Sequence, residues 1–337
     1  MSLVVLDADV LGRRRTGDET YVRNLLRELA VLAPATGVRL AAVTRRPDLV
    51  PDGMEAVDLP RRSHELRMAW SLPRTLRRLG ASLCHTQYAL PLRAPCPCVV
   101  TVHDVSFERK PELMGRKDRF VFRRVVPRAV QRAQRVLTVS ERTKRDLVEL
   151  YQVAPERVVV TPNGVDPAFA PGPGSHDYVL AVGAIQRRKD QRAALRAAAA
   201  VGLPLVVAGP EKDATLAAEL RQEGARLEGY VETERLAELY RGAACLVQTS
   251  EFEGFGLPVL EAMASGAPVV AVHEPALEEV ARDAAVFVDR AALADGIRTA
   301  LADRDRLVAA GLERARRFSW RATAEKTLAV YQEILGR

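Results

Sequence analysis

Apolar residues along this chain fall into short unbroken runs, each followed by a stretch with helical spacing. In the first half the runs are Leu3–Leu6, Arg39–Thr44, Ser82–His85, Cys98–Val102 and Val136–Ser140. In the second half they are Tyr178–Val182, Leu205–Gly209, Ala243–Val247, Val269–Val272 and Val286–Val288. Runs without polar alternation predict strands buried on both faces, as in parallel sheets. Thr20–Leu32 puts Val22, Leu25, Leu26 and Leu29 on one helical face. Arg142–Tyr151, Glu234–Arg241 and Ala291–Phe318 also read as helices, and Ala322–Leu335 as a final amphipathic one. This alternation predicts an α/β protein with two doubly wound parallel sheets. Pro167–Ser175, PAFAPGPGS, breaks the pattern and marks a linker between domains spanning 1–166 and 176–320.

Chemistry concentrates in Glu251–Val270, EFEGFGLPVLEAMASGAPVV. A helix is predicted to open near Leu257, with Pro258 in the first turn, where a missing N–H costs nothing. Ser265-Gly266-Ala267-Pro268 closes it, glycine just past the end and proline beyond. Gly254 and Gly256 let backbone approach a ligand, and the helix start offers N–H groups with partial positive charge. Together these bind phosphate. Glu253 and Glu261 flank the same turn. Carboxylates repel phosphate unless something else occupies them, and without metal ligands nearby they are suited to accepting hydrogen bonds from hydroxyls. Phosphate in the middle and polyols at both ends describe a nucleotide sugar. The plain structural alternative is a helix with acids in its first turn, where they suit the macrodipole.

Three further positions carry candidate chemistry. In Gly183-Ala-Ile-Gln-Arg-Arg-Lys-Asp190, Arg188 and Lys189 can clamp a diphosphate, arginine by its fork and lysine as a point charge. As surface residues they would stand at a helix start, where the dipole disfavours them. His103 follows strand Cys98–Val102, at the carboxyl end where ligands gather in parallel sheets. Gly17 lies beyond the first strand, in the Gly12–Gly17 loop, where a glycine admits phosphate or simply makes a turn. Asp7-Ala-Asp9 has the spacing of an Asp-x-Asp metal motif but no supporting ligand cluster, so no metal is expected.

Composition narrows the class. With 48% apolar and 28% charged residues the chain reads as globular, and no apolar run nears the roughly 20 residues that span a bilayer. MSLVVLDADV has no basic residue ahead of its short apolar stretch, so no signal peptide is expected. Cys84, Cys96, Cys98 and Cys245 lack zinc spacing and are expected as reduced thiols of a cytoplasmic protein. The net charge of +7 is uneven, for residues 109–145 hold thirteen Lys/Arg against three acids. A basic face poor in aromatics and without a recognition motif argues against nucleic acid. It leaves a solvated face or an anionic membrane surface, with peripheral attachment at the inner face. Residues 61–80, RRSHELRMAWSLPRTLRRLG, offer the same choice between lipid and the chain's own sheet, with Pro73 expected to interrupt the helix.

Glu253 and Glu261 around Gly-Phe-Gly-Leu-Pro resemble the Glu-x7-Glu motif of retaining glycosyltransferases of family four. Val-His103-Asp, the Pro162-Asn-Gly-Val-Asp166 turn and the Arg188-Lys189 pair are similar to that family too. The chain departs from it at Glu19, where a second glycine is common, and at Ala184, where some members have arginine. The resemblance spans nearly the whole chain. It implies the GT-B architecture, with an acceptor-binding first domain, a donor-binding second domain, the active-site cleft between them and a last helix, within 322–337, returning to the first. It also implies that His103, Glu253, Arg188 and Lys189 act on the transferred sugar and the departing diphosphate. Gly17, Gly183, Val231, Gly254, Phe255, Gly256, Leu257 and Glu261 would bind the donor, Glu261 at the ribose and Val231 near the base.

The expected reaction is retaining, metal-independent transfer of a hexose of mannose or glucose type, without a cofactor. The donor would be a GDP- or UDP-linked sugar and the acceptor a hydroxyl of a saccharide or lipid-linked molecule, as in polysaccharide biosynthesis. The Gly183-x4-Arg-Lys turn resembles that of members using GDP-mannose. A nucleotide-sugar epimerase on the same fold, and a non-catalytic nucleotide-sugar-binding or membrane-docking protein, are the alternatives. Acceptor, linkage and oligomeric state stay open at this point.

Overall fold

The computed structural model describes residues 1–13, 17–59 and 63–336. Residues 14–16 of the Gly12–Gly17 loop, and Arg61 and Arg62 of the basic stretch, lie outside the described residues. The chain divides into two compact units, Met1–Gly164 together with the segment from Trp320 onward, and Val165–Ser319.

The first unit holds one parallel sheet of strands β1 (Ser2–Asp7), β2 (Val38–Thr44), β3 (Glu55–Asp58), β4 (Leu83–Gln87), β5 (Cys98–Val102), β6 (Arg135–Thr138) and β7 (Val158–Val160), ordered β3-β2-β1-β4-β5-β6-β7. Val4, Val5, Val99 and Val100 have no exposed surface. Burial on both faces is why these strands read as continuous apolar runs. β3 is different. It is an edge strand, EAVD, with Val57 its one buried side chain, so no apolar run announced it.

The second unit holds β8 (Tyr178–Val182), β9 (Leu205–Ala208), β10 (Arg226–Gly229), β11 (Ala243–Gln248), β12 (Val269–Val272) and β13 (Val286–Val288), all parallel and ordered β10-β9-β8-β11-β12-β13. In each sheet the chain winds outward on one side of its first strand, then returns to the other. The order therefore reverses between β1 and β4, and between β8 and β11. At such a switch point the loops leave in opposite directions and open a crevice at the carboxyl ends. The loops after β8 and β11 carry Arg188, Lys189 and Glu253.

Several helices depart from expectation. His64–Leu79 is unbroken: Arg67–Ser71 widen into a π turn, and Pro73 stands in the first turn of the following α-helical segment, Leu72–Leu79. The wider turn removes the clash that a proline ring makes with the carbonyl one turn back. Leu72 and Leu76 are fully buried against the sheet, whereas Leu66 and Trp70 are 50% and 62% exposed. The predicted helix over 291–318 is two, Leu293–Ala302 and Arg304–Ala315, separated at Asp303. Aspartate suits a helix start better than an interior. Helix Trp320–Leu335 belongs to the first unit and packs along helix Gly17–Leu32, burying Trp320, Leu328, Val330 and Tyr331. Each such large side chain contributes about 1.5–3 kcal/mol by leaving water. The four cysteines are free thiols.

Candidate functional site

In the second unit, two loops on either side of the switch point clasp each other. β8 is followed by Gly183, whose φ of 138° brings the chain round so that a Cβ there would lie 3.3 Å from Lys189 Cε. Arg187–Lys189 form a 3₁₀ turn, and Asp190 then caps helix Gln191–Ala200 by accepting from Ala193 N. From the other loop, Glu251 N donates to Arg188 O at 3.0 Å and Thr249 Oγ1 to Lys189 O at 2.6 Å. Arg188 donates to Phe252 O at 3.0 Å, so its guanidinium is steered by backbone.

Side chains close the arrangement. Lys189 Nζ forms a buried ion pair with Glu253 Oε1, and Arg188 lies 3.9 Å from Oε2 of the same carboxylate. Gln248, the last residue of β11, donates to Glu253 Oε1 at 2.8 Å and to Ser250 Oγ at 2.9 Å. Burial by itself would raise the Glu253 carboxyl. The charges of Lys189 and Arg188 outweigh burial and hold it below the usual carboxylate range. A carboxylate that stays ionised in a buried site beside two cations is set to accept hydrogen bonds from a ligand while the cations meet an anion.

The helix after this loop is Leu257–Ala264, opened by Gly256 and carrying Pro258 in its first turn. Gly256 has a φ of 109°, and a Cβ there would fall 2.7 Å from Leu277 Cδ2, so only glycine fits. Glu261 is not in the first turn, and no acid is. The macrodipole explanation for this residue therefore fails. Instead the side chain is 8% exposed and accepts from Tyr240 hydroxyl at 2.8 Å. Burial pushes its pKa up to about 7, Asp166 adds to the rise, and the Tyr240 hydrogen bond works against it.

Other predicted positions are placed less centrally. Phe255 is buried with its ring edge-on to Phe318, centroids 5.8 Å apart, which leaves only its backbone for a ligand. Val231 lies just past β10, the edge strand two places from β8. Gly17 begins helix Gly17–Leu32, and nothing stands within 4 Å of where its Cβ would be. Glu19, the departure from a second glycine, is buried and accepts from Gly12 N at 2.8 Å and from Arg23 at 2.8 Å. Asp7 and Asp9 are committed to arginines: Asp7 pairs with Arg67, and Asp9 with Arg13 and Arg45. Among the described residues no group of three His, Cys, Asp or Glu is placed to hold a metal ion.

His103 lies in the first unit, 8% exposed, with Nε2 2.9 Å from Gln87 Oε1 and its ring edge-on to Tyr21 at 4.7 Å. Burial lowers its pKa, with Asp18 and Asp104 opposing, so the imidazole is neutral. Gln87, Gln248 and Tyr240, which bond to His103, Glu253 and Glu261, were not singled out from the sequence. A polar residue ending a buried apolar strand was the available signal for the two glutamines; Tyr240 gave none.

A family model described as Glycosyltransferase Family 4 matches residues 15–169, and one described as Glycosyl transferases group 1 matches residues 168–323. An O-antigen chain mannosyltransferase B of Escherichia coli is 30% identical over 327 residues, covering 87% of this chain and 83% of the relative. A D-inositol 3-phosphate glycosyltransferase of Acidothermus cellulolyticus is 32% identical over 280 residues, covering 71% of this chain and 62% of the relative. Among solved structures, a sucrose-phosphate synthase from Thermosynechococcus elongatus superposes with a TM-score of 0.80 at 20% identity over 100% of both chains, a likeness of fold.

Proposed function

The chain belongs to the group 1 glycosyltransferases, with the family 4 domain in its first unit, and from that premise we propose a retaining hexosyltransferase that needs no metal. The donor is a GDP- or UDP-hexose, and the acceptor a hydroxyl of a saccharide or lipid-linked molecule. The observation that carries this reading is the buried cluster of Lys189, Arg188 and Glu253 beside a glycine-led helix start. When the donor binds, its diphosphate draws Lys189 and Arg188, and Glu253 exchanges its lysine for hydroxyls of the sugar. Glu261 accepts from the ribose hydroxyls. The bond from the anomeric carbon to the diphosphate breaks, the acceptor oxygen bonds to that carbon on the same face, and a phosphate oxygen takes the acceptor proton. Lys189 and Arg188 stabilise the diphosphate as its charge grows, and His103 contacts the bound sugar. Mannose is favoured over glucose by the Escherichia coli relative's name.

The test is a panel of nucleotide sugars assayed for binding and slow donor hydrolysis, wild type beside Glu253→Ala and Lys189→Ala. One donor hydrolysed by wild type and spared by both variants is the expected result. Equal binding without turnover in all three proteins would remove the roles given to Glu253 and Lys189.

The site of action is proposed to be an anionic membrane surface. Trp70 and Leu92, 62% and 59% exposed, border a groove also lined by Arg74, Arg77 and Arg93. Apolar side chains among arginines suit lipid headgroups, at about 1 kcal/mol per basic residue. No described helix is long and apolar enough to cross a membrane. Co-sedimentation with anionic vesicles at low salt should be lost in Trp70→Ala combined with Arg77→Ala; wild-type protein that stays in solution would end this part of the proposal.

A further inference from the structure

His103 sits at the top of a two-strand ladder of polar side chains. Gln87 of β4 pairs in register with Thr101 of β5, and His85 and His103 lie two residues from them on the same faces. The lower rung is His85 Nε2 against Thr101 Oγ1 at 2.7 Å; the upper rung is Gln87 Oε1 against His103 Nε2 at 2.9 Å. Thr101 Oγ1 also meets Tyr21 hydroxyl at 3.1 Å, and His85 Nδ1 bonds to Tyr331 hydroxyl from the last helix. The lower rung is thus anchored by two helices, Gly17–Leu32 through Tyr21 and Trp320–Leu335 through Tyr331. Burial keeps both of the ladder's histidines neutral, the pKa of His85 falling to about 3.

A neutral imidazole has one donor and one acceptor nitrogen, and its partner decides which is which. We propose that Gln87 is a positioning residue that fixes the tautomer of His103: its side-chain carbonyl holds the Nε2 proton, so Nδ1 is the acceptor offered to a hydroxyl of the bound sugar. This rests on the proposed contact of His103 with sugar. A glutamine does this where a glutamate would not. A carboxylate at the same place would favour the imidazolium, which has no acceptor at all. The charged or titratable groups around the ring are Asp18 from helix Gly17–Leu32, Asp104 beside it and His85 below it. The Tyr21 and Tyr88 rings, centroids 4.7 and 5.6 Å away, complete its surroundings.

The experiment is a long-range proton–nitrogen spectrum of protein labelled with ¹⁵N-histidine. There are five histidines, and His103 is assigned by its loss in His103→Gln. Wild type should show protonated Nε2 and bare Nδ1 at about pH 8. In Gln87→Leu the tautomer should mix, and turnover of the donor should fall about tenfold or more while its KM changes little, because the nucleotide contacts are untouched. In Gln87→Glu the ring should titrate, and the acid limb of the turnover profile should move up by about one pH unit or more. Protonated Nδ1 in wild type overturns the proposal. So does a fall in turnover for Gln87→Leu with tautomer and pH profile intact, since that marks a structural role. Absence of turnover with every sugar tried would count against the transferase reading, while the spectrum still decides the tautomer.

Discussion

Glu261→Gln separates the stability of the second unit from its ligand chemistry. Wild-type Glu261 is 8% exposed, with its pKa raised from 4.5 to about 7 chiefly by burial. The folded chain therefore keeps a proton that the unfolded chain gives up between those two values. The resulting stabilisation is complete below pH 4.5 and is lost as pH rises through about 7. Between pH 5 and 8, linkage for this one group amounts to about 2.5 kcal/mol, or roughly 5–10 °C in melting temperature for a unit of this size. Glutamine still accepts from Tyr240 and cannot ionise. The variant should melt close to wild type at pH 5 and clearly above it at pH 8, with hydrogen exchange of the β11 and β12 amides slowed in step. Affinity should move the opposite way. A charged acceptor for the ribose hydroxyls is worth about 1.5–3 kcal/mol, so nucleoside diphosphate should bind roughly tenfold or more weakly at pH 8. Wild-type affinity should fall as pH drops below about 7, with protons released on binding near neutrality. A gap in melting temperature that does not change with pH would refute the buried-carboxyl argument. An unchanged Kd would refute the ribose assignment.

Arg67→Ala would strand Asp7 and Asp9, both near-buried and both within reach of its guanidinium. Removing one side of such a cluster costs about 3–5 kcal/mol, and urea unfolding should show it; a loss below about 1 kcal/mol would mean that Arg13 and Arg45 suffice. Gly256→Ala must place a Cβ against Leu277 at a backbone angle that side chains rarely adopt. It should destabilise the second unit by about 1–3 kcal/mol, and pairing it with Leu277→Ala should recover only the steric share. Tyr331→Phe leaves His85 Nδ1 without its hydroxyl partner and should cost about 1–3 kcal/mol, measured by thermal melting, with nucleotide affinity unchanged.

The strands of both sheets were legible because a parallel strand between two helical layers has no polar face to show, as Leu3–Leu6 and Val269–Val272 illustrate. The edge strands β3 and β10 were not, since an edge strand is held by backbone bonds that leave no side-chain pattern. The Glu251–Val270 turn was legible for a different reason. Gly256 and Pro258 act through their own backbone geometry, which depends on the residue and not on its neighbours. Pro73 shows the limit of that rule, because the turn before it could widen.

Residue types, strand runs and the candidate Arg188, Lys189, Glu253, Glu261 and His103 were thus properties of the chain read locally. Which charge meets which was not. Lys189 reaches Glu253 across a gap of 64 residues because β8 and β11 are neighbours at the switch point. Glu261 holds its proton because folding buries it near Asp166, against the opposing hydrogen bond from Tyr240, and His103 is lowered by burial and meets Gln87 because β4 runs alongside β5. Backbone preference is carried by each residue in its own segment. Protonation state and hydrogen-bond polarity depend on burial and on partners distant in sequence, and those exist only once the sheets have assembled.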